Sequence, residues 1–251
     1  MDLLRPDFIF VVTVAVMFGA GVAGSSARRR QPPSGVHEDL GVLLSATLTL
    51  LGLLIGFSFS MGASRYDQRK NFEEEEANAI GTEYVRAELL PAAQAAQTKQ
   101  LLATYLGERI LWYTAPSNAQ LAPIDAETAR LQGRLWESVR VTAAQHQTPI
   151  NSLVAAGMND VLNAQGYTQA AWRNRIPNAA WILLFIIGVV CNFLYAFNAS
   201  REGLAILRVG ILPLIVATTF YLVADIDSPR GGLIHVAPQN LITLEESFTA
   251  P

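Results

Sequence analysis

The chain has 251 residues and a net charge of −3, and 51% of its residues are hydrophobic while only 16% are charged. A typical soluble domain carries about 25% charged residues, so this composition excludes an ordinary soluble domain as well as a disordered, collagen-like or disulfide-rich chain. The scattered basic residues give no footprint for nucleic acid. One cysteine and three separated histidines form no metal, nucleotide-binding or catalytic motif. We therefore expect neither an enzyme nor a bound cofactor or metal.

The first 64 residues contain two apolar segments long enough to cross a bilayer, whose core needs about 20 residues of helix. We predict membrane helices at about 8–24 and 40–62. The first segment ends in small residues, as a signal peptide does, but its start carries only Arg5 as a base against two acidic residues. This favours a retained helix.

Residues 177–224 contain the second pair of apolar segments, at 178–199 and about 203–224. We expect Arg208, near the start of the last segment, to extend its side chain toward the interface, although a pore-facing position is an alternative. Pro213 falls inside that segment and is tolerated where neighbouring helices satisfy the freed carbonyl. The sequence therefore predicts four membrane helices.

We predict that residues 65–176, between the two pairs of membrane helices, form a water-facing helical domain. Residues 63–176 hold 12 of the 21 acidic and 11 of the 18 basic residues of the chain. Apolar residues recur at helical spacing throughout, without the alternation typical of strands. Asp125 is a candidate helix cap, and Thr148 followed by Pro149 predicts another helix start. The predicted fold class is all-α.

Charge leaves the orientation of the chain open. An even number of spans places both termini and the helical domain on one side of the membrane. The segments flanking that side carry seven basic residues against five in the opposite connections, which weakly favours a cytoplasmic domain. The arginine triplet at 28–30 lies in a short connection and favours the opposite orientation.

The second membrane helix carries the pattern most informative about function. Thr49, Leu53 and Phe57 recur every four residues and share one face of the helix. Gly52 and Gly56 lie to one side of that face, where they suit close approach of another helix. Around a symmetry axis the first face would line a narrow apolar pore that gates by dewetting. Ordinary helix packing is the alternative.

The densest charge in the chain is a run of four acidic residues, Glu73, Glu74, Glu75 and Glu76. One interpretation is a solvated helix face that follows basic residues one turn earlier. The other is a ring of carboxylates, one from each subunit, that forms a vestibule attracting cations. The sequence leaves both open.

Two motifs resemble those of bestrophins, which are pentameric ion channels. The stretch LLGLLIGFSFSMGASRYDQR at 50–69 resembles their neck helix, in which an arginine and an aromatic residue follow the Gly-Phe pair by eight residues. The stretch DIDSPRG at 225–231 resembles the pattern that follows their fourth membrane helix. ANAIGT at 77–82 and IDSPRGGLI at 226–234 are similar to bacterial membrane proteins termed bestrophin-like.

The resemblance implies a ring-shaped homo-oligomer, a pentamer in the first instance, in the bacterial inner membrane, with the helical domain and both termini in the cytoplasm. It implies a pore neck lined by Thr49, Leu53 and Phe57, although a polar Thr49 departs from the apolar rings of the family. Arg65 and Asp67 would lie at the neck mouth, either facing the ions or paired between subunits.

The segment 225–251 would form a turn and a tail. We expect the turn to brace the fourth membrane helix against the helical domain, and its candidate residues are Asp225, Asp227, Pro229 and Gly231. The acidic cluster that holds calcium in animal bestrophins is absent from the sequence that follows, so calcium gating is not implied.

The resulting hypothesis is a channel for small inorganic ions, with the lipid bilayer, further copies of the chain and the permeant ion as its partners. The resemblance favours chloride, whereas the glutamate run would suit a monovalent cation. The alternative is a membrane-anchored sensor or scaffold whose helical domain binds a protein partner. A membrane enzyme ranks third.

Overall fold

The computed structural model describes residues 5–30, 38–145, 147–198 and 205–249. These residues form eight α-helices and no strand, which confirms the all-α class. In chain order the helices are α1 (Pro6–Arg29), α2 (Glu38–Arg86), α3 (Ala92–Thr114), α4 (Leu121–Gln145), α5 (Pro149–Arg173), α6 (Asn178–Asn198), α7 (Ala205–Asp227) and α8 (Gln239–Thr249).

The chain divides into two compact units. The membrane unit comprises Met1–Arg65 and Arg175–His235, and the helical domain comprises Tyr66–Asn174 and Val236–Pro251. The C-terminal residues from 236 onward, predicted to be a tail, are thus part of the helical domain. Helix α2 is continuous over 49 residues and contributes to both units.

The predicted four membrane helices are confirmed, because four helices among the described residues are long and apolar enough to cross a bilayer. They are α1, the first half of α2, α6 and α7. Pro213 lies inside α7 without ending it. The side chain of Arg208 is outside the described residues.

In the membrane unit α1 packs directly on α6 and α7. The Asn192 amide on α6 donates a hydrogen bond to the Met17 carbonyl of α1. Gly24 of α1 lies so close to the Phe193 carbonyl that any larger residue would overlap it. Such small residues permit close backbone approach between membrane helices, and the side chains of Met17 and Phe220 fill the core beside them.

In the helical domain the apolar stripes of α3, α4 and α5 meet around one core that includes Ile80, Leu102, Leu131 and Met158. The predicted start of α5 is confirmed: the Thr148 hydroxyl accepts a hydrogen bond from the Asn151 amide, and proline occupies the first turn.

The predicted cap at Asp125 is wrong. Helix α4 begins earlier, at Leu121, and Pro123 lies in its first turn. Proline is tolerated there because the first amides of a helix need no partner within the helix. Asp125 instead accepts a hydrogen bond from the Gln169 amide of α5 at 3.1 Å.

Candidate functional site

Helix α2 is the membrane helix that its own chain covers least. Only 6% of its most apolar stretch is buried, against 28% for α1 and 50% for α7. Its buried membrane residues are Leu51, Ser58 and Gly62. These follow helical spacing, so α2 packs on its own chain along one narrow stripe.

The three predicted neck residues lie on the opposite face of α2. Successive residues are about 100° apart around a helix, which places Thr49, Leu53 and Phe57 roughly opposite the buried stripe. Leu53 is 52% exposed and Phe57 is 59% exposed in the single chain. The Thr49 hydroxyl donates to the Ser45 carbonyl at 2.9 Å, so its hydrogen-bonding need is met within the helix. The face is therefore uncovered, and it is apolar at Leu53 and Phe57.

The predicted packing glycines of α2 have open space beside them in the single chain. A Cβ atom added to Gly52 or Gly56 would meet no atom within 4 Å. At Gly62, by contrast, it would lie 2.7 Å from the Ile226 side chain. Gly62 therefore serves the packing of the chain itself, while the surface at Gly52 and Gly56 is open to another molecule.

Arg65 and Asp67 follow the membrane half of α2 and belong to different units. The Nε and Nη1 atoms of Arg65 are buried without a hydrogen-bond partner among the described residues. The side chain of Asp67 is exposed. Arg65 belongs to the membrane unit and Asp67 to the helical domain. Their position at a pore mouth stays a prediction.

The four glutamates of the acidic run divide into two buried and two exposed side chains. Glu74 and Glu75 are exposed, whereas Glu73 is 1% exposed and Glu76 is fully buried. Helix α2 turns Glu73 and Glu76 into the core of the helical domain, so the run is not a fully solvated face. Glu74 and Glu75 keep solvent-exposed side chains, and a vestibule formed by one glutamate from each subunit stays a prediction.

Glu73 caps helix α8. Its Oε1 accepts from the Leu241 amide at 3.0 Å, and its Oε2 accepts from the Asn240 side chain at 2.6 Å. The first amides of a helix lack partners within the helix, and a negative charge is favourable beside them. Glu73 therefore fastens the C-terminal helix to α2.

Glu76 is the acceptor at the centre of a buried polar cluster. Its carboxylate accepts from Arg109 Nε, from the Thr168 hydroxyl at 3.0 Å and from the Tyr113 hydroxyl at 3.2 Å. Burial, and then the charge of Glu76, raise the pKa of Tyr113, so that the phenol remains a donor. The Arg109 guanidinium also lies 4.8 Å from the Trp112 ring centre. Arg109 lies within an apolar stripe of α3, and nothing in the sequence pattern singles it out.

Asp225 shapes the turn after α7. Its two carboxylate oxygens accept from the Leu233 and Ile234 amides at 2.7 and 2.9 Å. Gly232 adopts a φ of 109°, and a side chain there would overlap the Asp225 carboxylate. A glycine is required at this position for both reasons.

The rest of the predicted turn is formed by short-range contacts. The Gly231 amide donates to the Ser228 hydroxyl at 3.1 Å, and Pro229 lies half-buried between them. Both residues thus belong to the loop that Asp225 closes.

Asp227 joins the end of α7 to the residues before α6. Its carboxylate accepts from Arg175 Nε at 3.0 Å and from the Ile176 amide at 3.1 and 3.2 Å. The partners described for Asp225 and Asp227 belong to the membrane unit. These hydrogen bonds brace the end of α7 within the membrane unit, and the expected brace against the helical domain stays a prediction.

The part of the chain that the structure describes contains no group of three or more His, Cys, Asp or Glu residues able to hold a metal ion. The buried carboxylates of Glu73, Asp225 and Asp227 are each occupied by amide donors. These sites act as structural braces, which leaves the uncovered face of α2 as the candidate functional surface.

Comparisons with known proteins identify the fold. A protein-family model described as a bestrophin-like domain matches residues 8–241. Two crystal structures of variants of a bacterial bestrophin homolog from Klebsiella pneumoniae are each 13% identical to this chain in sequence. The first has a TM-score of 0.65, and its alignment covers 94% of this chain and 96% of that structure. The second has a TM-score of 0.66, and its alignment covers 98% of this chain and 99% of that structure. A structure of that homolog phased on zinc is 15% identical, with a TM-score of 0.64 over 95% of each chain. No curated protein matches the chain.

Proposed function

Because the chain belongs to the bestrophin-like family, we propose that it is an ion channel. In this proposal copies of the chain assemble as a ring, a homopentamer in the first instance, in the bacterial inner membrane. The axis of the ring passes along the face of α2 that carries Thr49, Leu53 and Phe57. The helical domain and both termini lie in the cytoplasm.

The observation that carries the proposal is the uncovered face of α2. A membrane helix that leaves large apolar residues outside its own chain meets either lipid or another protein. Here the exposed Leu53 and Phe57 are accompanied by the open surface at Gly52 and Gly56, which suits close approach of a neighbouring helix. If neighbouring copies of α2 contact each other at these glycines around a symmetry axis, the adjacent face with Leu53 and Phe57 points toward that axis.

The proposed gate consists of three stacked rings. Residues four apart on a helix are separated by about 6 Å along its axis, so Phe57, Leu53 and Thr49 would narrow the pore at three successive levels. Apolar rings of this kind block ions when water leaves the constriction. The hydroxyl of Thr49 makes its ring the most easily wetted.

Phe57→Ala should increase ion leak through the reconstituted protein. Removing a ring of aromatic side chains weakens the dewetted barrier, and flux from liposomes measures the change. Phe18→Ala is the matched control, because Phe18 is an exposed phenylalanine on another membrane helix, α1. Equal flux from wild type and Phe57→Ala, with an active wild type, would contradict the proposed gate.

We propose chloride as the permeant ion, on the family resemblance. A monovalent cation is the alternative, supported by the exposed pair Glu74 and Glu75, which could form a smaller acidic vestibule. The reversal potential under a KCl gradient, measured on the same preparations, distinguishes the two. A potential near that of chloride supports the first choice, and one near that of potassium supports the second.

A further inference from the structure

Glu83 is a buried carboxyl group without a hydrogen-bond donor. It lies on α2 within the helical domain, three residues before that helix ends at Arg86. Its side chain is fully buried, and neither carboxylate oxygen has a hydrogen-bond partner among the described residues. Glu73 and Glu76, earlier on the same helix, each receive at least two donors. Burying an ionised carboxylate with no donor is strongly unfavourable.

The group is pressed against the backbone of α5. A Cβ atom added to Gly157 would overlap Glu83 Oε2 and Arg86 Nη1. The same face of α5 carries Val154, Met158 and Val161, all fully buried. The glycine therefore provides the space for the carboxyl group beside a largely apolar stripe of α5.

Two charged groups face this contact, one on each helix. Arg86 lies on α2 and forms no ion pair with Glu83, and Asp160 lies on α5 with its side chain exposed. Burial raises the pKa of Glu83, Arg86 lowers it, and Asp160 raises it, with a net result of about 8. Burial outweighs the nearby guanidinium because no hydrogen bond to the charged form is made.

We propose that Glu83 is a proton-binding residue that is neutral while α2 and α5 are packed together and loses its proton as that contact loosens. Proton concentration on the side of the membrane that holds the helical domain then sets how firmly the end of α2 is held. This role of Glu83 involves the helical domain alone and does not require that the pore conduct ions.

The sign of the pH dependence follows from proton linkage. An ordinary glutamate has a pKa of 4.5, whereas burial raises the pKa of folded Glu83 to about 8. Between these values the folded chain holds one proton more than the unfolded chain. Stability contributed by neutral Glu83 is complete below pH 4.5 and falls as the pH rises to about 8, by up to about tenfold in the folding equilibrium per pH unit.

Glu83→Gln tests this dependence in the full-length protein purified in detergent. The amide keeps the shape of the neutral carboxyl group and cannot ionise. The melting temperature of the variant should exceed that of wild type by an amount that grows from low to alkaline pH. The control Glu246→Gln changes an exposed glutamate of α8 and should follow wild type. A Glu83→Gln profile parallel to that of wild type would overturn the proposal.

Infrared difference spectroscopy observes the proton directly and does not depend on Glu83→Gln folding. Wild type should show a protonated carboxyl band that disappears near pH 8. Asp160→Asn leaves Glu83 in place and removes a negative charge, so it should lower the midpoint of that transition. No such band in wild type near neutral pH would refute the proposal. So would stabilisation of wild type, but not of Glu83→Gln, by calcium ions, since the carboxylate would then bind a cation.

Discussion

Glu76 and Arg109 form an ion pair in the core of the helical domain, and both side chains are fully buried. Two more donors, the hydroxyls of Tyr113 and Thr168, complete the environment of the carboxylate. A buried pair of this kind adds little net stability over apolar residues of the same volume, because both charges lose their hydration. Removing one partner is different, since it leaves the other charge buried and uncompensated.

Arg109→Leu should therefore lower the free energy of unfolding by about 3–5 kcal/mol. Denaturant titration followed by circular dichroism measures this change. The control is Arg130→Leu, which removes an exposed arginine that pairs with Glu127 on the surface of α4 and should have little effect. The double variant Glu76→Leu with Arg109→Leu should recover part of the loss. If Arg109→Leu lowered the free energy of unfolding no more than Arg130→Leu does, the buried pair would not be needed for the stability of the helical domain.

For single residues, the sequence predicts which side chains share a helix face better than it predicts their hydrogen-bond partners. Thr49, Leu53 and Phe57 were found because a four-residue repeat defines a helix face whatever packs on it. The separation of Glu73 and Glu76 from their two exposed neighbours was not predicted, because a run of like charges carries no apolar pattern. The donors of Glu76 lie 33 or more residues away in the chain, where local reasoning does not reach.

Among the helices, those predicted with the best boundaries have long apolar segments or explicit caps. Helices α5, α6 and α7 belong to this group, whereas α1 and α2 extend past their predicted ends at 24 and 62. Helix α8 was absent from the prediction because its 11 residues are too few for a stable isolated helix. It is held by tertiary contacts: Leu241 is buried, and the Phe248 ring stacks on Tyr84 at 3.8 Å between ring centres.

Glu73→Ala should loosen α8 while leaving the rest of the domain folded. Loss of a side-chain cap and of a negative charge at a helix start costs about 1 kcal/mol. Hydrogen exchange of the α8 amides should accelerate accordingly, and exchange in α3 and α4 should be unchanged. Glu74→Ala, which removes the exposed neighbour, is the control. Equal protection of α8 in both variants would show that Glu73 does not fasten it.

For the whole molecule, the open glycine surface of α2 provides a test of assembly. A Cβ atom added at Gly56 of α2 or at Gly19 of α1 meets no atom packed against the helix within 4 Å. Both positions thus offer open space beside the helix in the single chain. A difference in stoichiometry between variants at the two positions reports contact with another molecule.

Gly56→Leu should weaken the oligomer, whereas Gly19→Leu should not. A leucine at Gly56 prevents close approach of a neighbouring helix, and native mass spectrometry or light scattering of the detergent-purified protein measures the stoichiometry. The helix content of both variants should equal that of wild type. A wild-type monomer, or a dimer with Phe57 facing lipid, would exclude the channel and favour the sensor or scaffold hypothesis.

The packing of α1 on α6 and α7 has a consequence for biosynthesis. The hydrogen bond between Met17 and Asn192 joins residues 175 positions apart, and Glu73 meets Leu241 across 168 positions. The ribosome therefore delivers α1 to the membrane well before α6 and α7, which pack on it, exist. During that interval the nascent chain presents Gly24 of α1 to lipid or to the insertion machinery. Both compact units become complete only when the C-terminal third of the chain has been translated, so their native packing forms late in synthesis.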